Sequence, residues 1–179
     1  VMGRNVSVNL GKADGILSEN EQVKGEEFEP TQRIKVYILE VKETPKGPRI
    51  LVSRTHPGLV KRLFESEVAE VRDGTVEIKS IAREAGSRTK IAVWSNDPDV
   101  DPVGACVGMN GARVNSIVEE LNGEKIDIIN WDDNPAILIE NALSPAKVIA
   151  VMADPDEKTA LVVVPDYQLS LAIGKEGQN

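Results

Sequence analysis

The chain has 179 residues, and its 21 Lys and Arg against 29 Asp and Glu give a net charge of −8, which argues against an indiscriminate binder of polyanions. Hydrophobic residues make up 41% of the chain and aromatic residues only 3%, with no run of about 18 apolar residues to cross a membrane and no apolar stretch at the N-terminus to act as a signal peptide. The single cysteine, Cys106, excludes an internal disulfide framework and suits the cytoplasm, and a single histidine leaves too few ligands for a structural zinc site.

Short strands separated by turns are predicted in the first segment. Alternating apolar and polar residues at 6–10, two apolar residues at 16–17, and β-branched runs at 33–40 and 49–54 are each typical of a strand. Strands this short at this spacing indicate a small antiparallel barrel. Because such a barrel needs about five strands, we expect a partial barrel over residues 1–55.

The hydrophobic periodicity changes from two to about 3.6 after Pro57-Gly58, since apolar residues within 59–71 recur with helical spacing. Such a change is typical of the start of a new unit. From Gly74 onward the pattern predicts a helix, a strand, a turn, two helices and a strand.

An internal repeat is the most informative feature of the sequence. Residues 90–99 resemble residues 147–156 at an offset of 57, and each segment is a predicted strand that ends in Asp-Pro-Asp. A helical stretch is predicted before each copy, at 76–85 and at 136–143. Each copy is followed by Gly-x-x-Gly, and these two motifs are 66 residues apart because the second copy inserts about nine residues, including a predicted strand at 160–164. The simplest account is two related α/β units in tandem.

The first loop is Gly108-Met109-Asn110-Gly111 and the second loop is Gly174-Lys175-Glu176-Gly177. Short helices are predicted before them, at 103–107 and 167–173, and another helix follows the first loop at 113–121. Glycine lets two helices meet at a sharp angle, and it also lets a phosphate approach backbone amides at a helix N-terminus. A lone Gly-x-x-Gly is most often a tight helix–helix turn. Two copies in matching contexts match the KH module, in which this loop clamps about four nucleotides.

Four segments carry a resemblance that covers nearly the whole chain. They are Val-Ser-Arg-Thr-His-Pro-Gly-Leu-Val (52–60), Asp-Pro-Val-Gly-Ala-Cys-Val-Gly (101–108), Gly-Glu-Lys-Ile-Asp-Ile-Ile (123–129) and Leu-Ala-Ile-Gly-Lys-Glu-Gly-Gln-Asn (171–179). With this order of units, the chain resembles the NusA family of bacterial transcription elongation, termination and antitermination factors.

The resemblance implies a multi-domain α+β fold. The helix, strand, strand, helix, helix, strand order of the first copy is similar to the prokaryotic (type II) KH variant. The implied domains are a partial antiparallel OB-fold barrel of the ribosomal S-one family at 1–55, a linker helix at 56–73, a first KH domain at 74–133, and a second KH domain at 134–179 that is truncated after its loop.

The resemblance also implies an RNA-binding site at each loop. The implied contact residues are Gly108, Met109, Asn110, Gly111, Arg113, Ile126, Ile128, Gly174, Lys175, Glu176 and Gly177. Family members often carry Lys or Arg between the first pair of glycines. Because this chain has Met109-Asn110 there, phosphate capture would depend on the backbone and on Arg113. An accessory RNA surface on the barrel, with an ordinary solvated face as the alternative, would consist of Arg33, Lys35, Tyr37, Arg49 and Arg54.

Two residues with reactive side chains have structural interpretations. His56 precedes Pro57-Gly58 and is expected to shape the linker, and Cys106 lies on an apolar helix, where a small buried packing residue is favoured. No nucleophile–base pair or carboxylate dyad emerges. We therefore expect no enzymatic activity and no cofactor.

Two further groups also have structural interpretations. Asp97, Asp99 and Asp101 are explained by Asp-Pro turns at the end of a strand, and a metal site is not expected. Trp94 and Trp131 lie on or beside strands and are expected to pack, with base stacking as the alternative.

The predicted function is capture of single-stranded nascent RNA by a cytoplasmic, monomeric protein. By resemblance, the bound RNA is coupled to RNA polymerase and antitermination factors, so that pausing, termination and antitermination are modulated. No membrane and no small-molecule substrate is expected. The alternative is a protein-docking platform with marginal RNA contact, since residues 79–179 carry 9 basic and 16 acidic groups.

Overall fold

A computed structural model describes residues 4–179 and begins with a four-stranded sheet, here the first sheet. Its strands are β1 (Val6–Asn9), β2 (Asp14–Leu17), β3 (Tyr37–Thr44) and β4 (Gly47–Ser53). The order is β1-β2-β4-β3, with antiparallel pairs except for β2 and β4, which are parallel. Within residues 4–179 the sheet is open, with β1 and β3 at its edges, so the closed OB-fold barrel is not confirmed. The expectation that it would be wholly antiparallel is wrong.

Two helices follow the first sheet, α1 (Pro57–Glu67) and α2 (Ala69–Arg72). The helix α1 begins at Pro57 because His56 caps it: the Nδ1 atom of His56 accepts a hydrogen bond from the Gly58 amide at 2.9 Å. Its apolar side, with Leu63 and Phe64, is buried in the same core as the strands that follow it. The helix therefore contributes to the core of the next unit.

The second sheet contains β5 (Val76–Glu84), β6 (Arg88–Ser95) and β7 (Lys125–Asn130). The strand β6 lies in the middle, antiparallel to β5 and parallel to β7. Two helices cross from β6 to β7, α3 (Pro102–Val107) and α4 (Ala112–Glu120). From α1 to β7 the observed order is helix, strand, strand, helix, helix, strand, with α2 a single short turn. The core lies between the helices and one face of the sheet, and it includes Val76, Ile91, Val93, Cys106 and Ile117.

The helix predicted at 76–85 is wrong, because these residues form β5. The strand contains a β-bulge between Ile78 and Ser80, which shifts the pairing register with β6. A bulge breaks the period of two, so Ile81 rather than Ser80 follows Ile78 on the core side of the strand. The resulting spacing of apolar residues imitates that of a helix.

The last unit contains α5 (Pro135–Ala142), β8 (Ala150–Asp154), β9 (Thr159–Val163) and α6 (Leu169–Ile173). The strands β8 and β9 form an antiparallel hairpin. The carboxylate of Asp154 accepts hydrogen bonds from the Asp156 and Glu157 amides, both at 3.1 Å, within the hairpin turn.

These elements correct the internal repeat. Each copy contains a two-stranded hairpin before its loop, β5–β6 in the first copy and β8–β9 in the second. In chain order, β9 of the second copy therefore corresponds to β6 of the first copy, whereas the sequence repeat paired β8 with β6. The first Asp-Pro-Asp follows the second strand of its hairpin, whereas the other one forms the hairpin turn. The expectation that the strand at 160–164 is an insertion is therefore wrong. This strand is β9, the counterpart of β6, and the sequence alignment of the two copies was displaced by one strand.

A buried ion-pair network joins the first sheet to α4. Arg54, directly after β4, is 1% exposed, and its guanidinium donates hydrogen bonds to the carboxylate of Glu26 at 2.7 and 3.1 Å. The same group donates to the side chain and the backbone carbonyl of Glu120, both at 3.0 Å, and to the carbonyl of Lys35 at 2.8 Å. Burial disfavours the charged form, but the hydrogen bonds and charges of Glu26 and Glu120 outweigh it and raise the pKa of Arg54. The expectation that Arg54 lies on an exposed RNA-binding face is therefore wrong.

No helix in the described part of the chain is both long and apolar enough to cross a membrane.

Candidate nucleic-acid interface

The two Gly-x-x-Gly loops have the same backbone conformation. The φ and ψ angles are 77° and 173° at Gly108 and 77° and 172° at Gly174. The third residue of each loop is left-handed, with φ and ψ of 53° and 28° at Asn110 and of 55° and 28° at Glu176. In both loops the amide of the second glycine donates to the carbonyl of the first, at 3.1 and 3.2 Å. Segments 66 residues apart thus form one local structure twice.

The first glycine of each loop is required by its surroundings. A Cβ atom on Gly108 would lie 3.0 Å from the backbone nitrogen of Arg113, and a Cβ atom on Gly174 would lie 3.2 Å from the backbone nitrogen of Asn179. Both glycines also have a positive φ that side chains disfavour. Glycine therefore allows the chain that leaves each loop to pack directly against its start.

The first loop presents backbone donors to solvent. Its Met109 side chain is 85% exposed, and within residues 4–179 the amides of Met109 and Asn110 donate to no other group. The loop leads directly into α4, a nine-residue helix whose N-terminal amides carry a partial positive charge. Such an arrangement can hold an anionic phosphate without a basic side chain.

Sequence reasoning missed Asn115 at this loop. Its Nδ2 atom lies 3.1 Å from the position that a Cβ atom on Gly111 would occupy. The sequence contained a signal for this residue. Asn115 is four positions after Gly111, and residues spaced by four on a helix lie on the same side, one turn apart.

The structure does not place Arg113 as an unpaired phosphate ligand. Its Nη1 atom donates to Glu70 on α2 and to the carbonyl of Ala105 on α3, both at 2.8 Å. The pKa of Glu70 is lowered, first by a hydrogen bond from its own backbone amide and then by Arg113, against the effect of burial. The guanidinium therefore links the start of α4 to α2 and to α3, the helix that precedes the loop. In the second loop, by contrast, Lys175 forms no ion pair with any residue in the described part of the chain.

The two isoleucines predicted to contact bases lie on β7, an outer strand of the second sheet. The side chains of Ile126 and Ile128 are partly buried against the core. The opposite face carries Asp127, which pairs with Arg88 at 2.5 Å and with Lys90 at 3.6 Å. Burial alone would raise the pKa of Asp127, but these two cations outweigh it and lower the pKa. Because β7 is an outer strand of the sheet, its backbone edge, rather than these side chains, is turned outward.

The accessory residues predicted on the barrel are not on one face. Arg33 and Lys35 precede β3 rather than alternating along it. The ring of Tyr37 stacks on the ring of His56, with centroids 4.5 Å apart and planes 5° apart, so that face is not free for a base. Arg49 is exposed on β4.

Several residues have the structural roles that the sequence suggested. Cys106 is fully buried, and burial raises the pKa of its thiol to about 11. The carboxylate of Asp101 caps α3 by accepting the Val103 amide at 3.1 Å, and Asp97 accepts the Asp99 amide at 2.9 Å. Within residues 4–179 no group of three or more His, Cys, Asp or Glu side chains could hold a metal ion.

Comparison with known proteins decides the family. The family model described as the NusA-like first KH domain matches residues 54–131, and the NusA-like second KH domain matches residues 135–179. The chain is 62% identical over 174 residues to the transcription termination/antitermination protein NusA of Bacillus subtilis, covering 97% of this chain and 47% of that protein. The chain belongs to the NusA family. The proteins of the same name from Mycobacterium tuberculosis and Thermus thermophilus are 53% and 50% identical, covering 93% and 98% of this chain and 48% and 45% of theirs.

The NusA match fits the observed elements. The first KH match covers α1 to β7 with the first loop, and the second covers α5 to α6 with the second loop. The chain thus contains two NusA-type KH domains, and its relatives are named as transcription termination/antitermination proteins, a name that specifies no enzymatic activity. It spans about half the length of the curated relatives it matches. The domain boundaries at 55/56, 73/74 and 133/134 stay predictions.

Proposed function

We propose that this chain binds single-stranded RNA through its two Gly-x-x-Gly loops and thereby supplies RNA contacts to a transcription termination and antitermination factor. The observation that carries the proposal is the shared conformation of the two loops, which differ by no more than 2° in the φ and ψ compared above. A KH loop of this kind clamps backbone phosphates.

Charge supports a mechanism based on oriented amides. The chain has a net charge of −8, so the attraction of a phosphate must be local. At the first loop it comes from the exposed amides and the N-terminus of α4, because Arg113 is paired with Glu70. At the second loop the cation of Lys175 adds to the same backbone geometry.

Base contacts would come from the edge of β7, beyond the first loop. The side chains of Ile126 and Ile128 pack inward, so they support the strand, and its backbone groups would meet the bases. We propose that RNA held in this way is nascent RNA, and that the whole protein couples it to RNA polymerase to modulate pausing, termination and antitermination. The names of the relatives support a role in termination and antitermination.

Three variants with the same change of charge test the proposal. Met109→Asp with Asn110→Asp alters the first loop, Lys175→Asp alters the second, and Lys46→Asp is the control in the exposed turn between β3 and β4. Each change lowers the net charge by two. Asp at position 110 keeps the left-handed backbone accessible. Affinity for a labelled single-stranded RNA is measured by fluorescence anisotropy at several salt concentrations, with folding checked by circular dichroism.

We expect each loop variant to weaken RNA binding about tenfold or more, with a smaller salt dependence, because phosphate contacts are lost. The control should bind as the unaltered chain does. Equal weakening by Lys46→Asp would mean that only overall charge matters. Full affinity in both loop variants would move the RNA site away from the loops, and failure of the unaltered chain to bind RNA would overturn the proposal.

A further inference from the structure

Both tryptophans of the chain meet on the face of the second sheet opposite α1, α3 and α4. Trp94 is on β6, directly after the fully buried Val93, so it faces the side opposite the core. Trp131 follows β7, and its amide donates to the Val93 carbonyl at 2.8 Å. The two rings are perpendicular, with centroids 5.8 Å apart. Trp94 remains 43% exposed, which leaves a large aromatic surface in contact with solvent.

A cation already lies on this aromatic pair. The Nζ atom of Lys79 is 5.3 Å from the centroid of the Trp131 ring, within the range of a cation–π interaction. The same ammonium group is 2.8 Å from Glu77, the residue paired with Trp94 across the sheet. Lys79 thus covers Trp131 and is neutralised by Glu77, so the ring of Trp94 is the remaining place for a second cation.

Four aspartates follow the two tryptophans closely in the chain. Asp132 and Asp133 directly follow Trp131, and Asp97 is three residues after Trp94, with the Asp99 amide bonded to it at 2.9 Å. None of the four forms an ion pair with another residue between 4 and 179. Asp132 and Asp133 are one and two residues from Trp131, and Asp97 is three residues from Trp94. The Cα atoms of these three aspartates therefore lie within about 10 Å, or about one Debye length, of the Cα atom of a tryptophan. Their charge repels phosphates and attracts cations.

We infer that this tryptophan corner, formed by Trp94, Trp131 and the four aspartates, docks an arginine-rich segment of a partner protein. Arginine fits because its flat, weakly hydrated guanidinium stacks on an aromatic ring while its neighbours in the segment pair with carboxylates. The net negative charge disfavours RNA at the same place. This inference is independent of RNA binding by the loops, which lie on another part of the KH domains.

Intrinsic fluorescence tests the inference directly, because the chain contains only these two tryptophans. The probe is a synthetic peptide of alternating arginine and glycine, compared with matched lysine and glutamate peptides. We expect a saturable change in tryptophan emission with the arginine peptide, a weaker one with lysine and none with glutamate. The affinity should fall about tenfold or more between about 0.05 M and 0.5 M salt.

Two variants separate the ring from the carboxylates. Trp94→Leu retains Trp131 as a reporter and should weaken peptide binding about tenfold. Asp99→Asn with Asp133→Asn removes two charges whose carboxylates accept no hydrogen bond in the described part of the chain, and should weaken it several-fold. Glu27→Gln with Glu43→Gln makes the same charge change on an exposed part of the first segment and should have no effect.

Four results would overturn the inference. One is an emission change that does not saturate, and another is unaltered peptide affinity in Trp94→Leu. The third is a larger emission change with a single-stranded oligouridine than with the arginine peptide, which would assign the corner to RNA. Equal weakening by the two acidic double variants would likewise show that overall charge alone attracts the peptide.

Discussion

Replacement of Arg54 by methionine tests the connection between the first sheet and the KH region. Methionine retains most of the length of the side chain but removes all its donors. The Arg54 side chain makes five hydrogen bonds, to Glu26, Glu120 and the Lys35 carbonyl, at 2.7 to 3.1 Å. The substitution therefore breaks the buried network while changing the packed volume little.

The size of the effect follows from the burial of the partners. The Glu26 side chain is 5% exposed, so without Arg54 its carboxylate would retain, among residues 4–179, only the hydrogen bond from the Nδ2 atom of Asn122 at 3.1 Å. Glu120 is 27% exposed and can regain water. Removing one partner of a buried pair costs about 3–5 kcal/mol, and most of this arises at Glu26. We expect a loss of unfolding free energy in that range, a large share of the total of about 5–15 kcal/mol for a small protein.

Urea denaturation followed by circular dichroism measures this loss. With a slope of about 2 kcal/mol per molar urea, the midpoint should fall by about 2 M. Arg49→Met is the matched control, since Arg49 is exposed on the strand that precedes Arg54, and a surface change of this kind should stay within about 0.5 kcal/mol. Adding Glu26→Gln to Arg54→Met should recover part of the loss, because the unpaired buried charge is then removed.

A loss below about 1 kcal/mol in Arg54→Met would refute this reasoning, because such a value is typical of an exposed ion pair. Strict additivity of Arg54→Met and Glu26→Gln would refute it independently. A marked fall in RNA affinity with unchanged stability would instead restore Arg54 to the RNA surface that the sequence suggested.

Three further predictions concern single side chains. Gly108→Ala should lower the free energy of urea unfolding by about 1–3 kcal/mol, since only glycine readily adopts its φ of 77° and ψ of 173°; no change would show that the loop relaxes. The pKa of Asp127 is lowered because Arg88 and Lys90 outweigh burial, so its stabilising effect is complete above about pH 4 and lost as the pH falls further. Asp127→Asn should thus flatten the acid side of the stability curve, and an unchanged curve would contradict this sign. Cys106, with a thiol pKa of about 11 and no exposure, should resist a disulfide reagent at pH 8 until urea unfolds the chain; rapid reaction of the folded protein would count against its burial.

Local sequence signals accounted for most of the helices and strands. Proline at the first turn of α3 and α5, after Asp101 and Asn134 as capping residues, marks where these helices begin. The hairpin of β3 and β4 was expected from two β-branched runs with a turn between them, although β3 begins at Tyr37 rather than at residue 33. Such signals depend on neighbours within a few residues, so one sequence is enough to read them.

Misassignments arose where the period of the pattern was broken. The bulge near Ile78 made β5 resemble a helix, and this error displaced the alignment of the whole repeat by one strand. A bulge is stabilised by pairing with β6, a contact that the local pattern does not contain. The open first sheet and its parallel pair of β2 with β4 likewise depend on which strands meet, not on what each strand is.

The pair of Gly-x-x-Gly loops and their helical flanks could be predicted without a structure, because glycine at these positions is a local requirement of the backbone. Which charged side chains are available to a ligand depends instead on how the chain packs. Arg54 and Arg113 look alike in the sequence as basic residues beside apolar runs. The fold buries Arg54 against Glu26 and Glu120 and pairs Arg113 with Glu70. These partners are 28 to 66 residues away in the chain. The free energy of a charge depends on its burial and its neighbours, and both are set by contacts between distant parts of the chain.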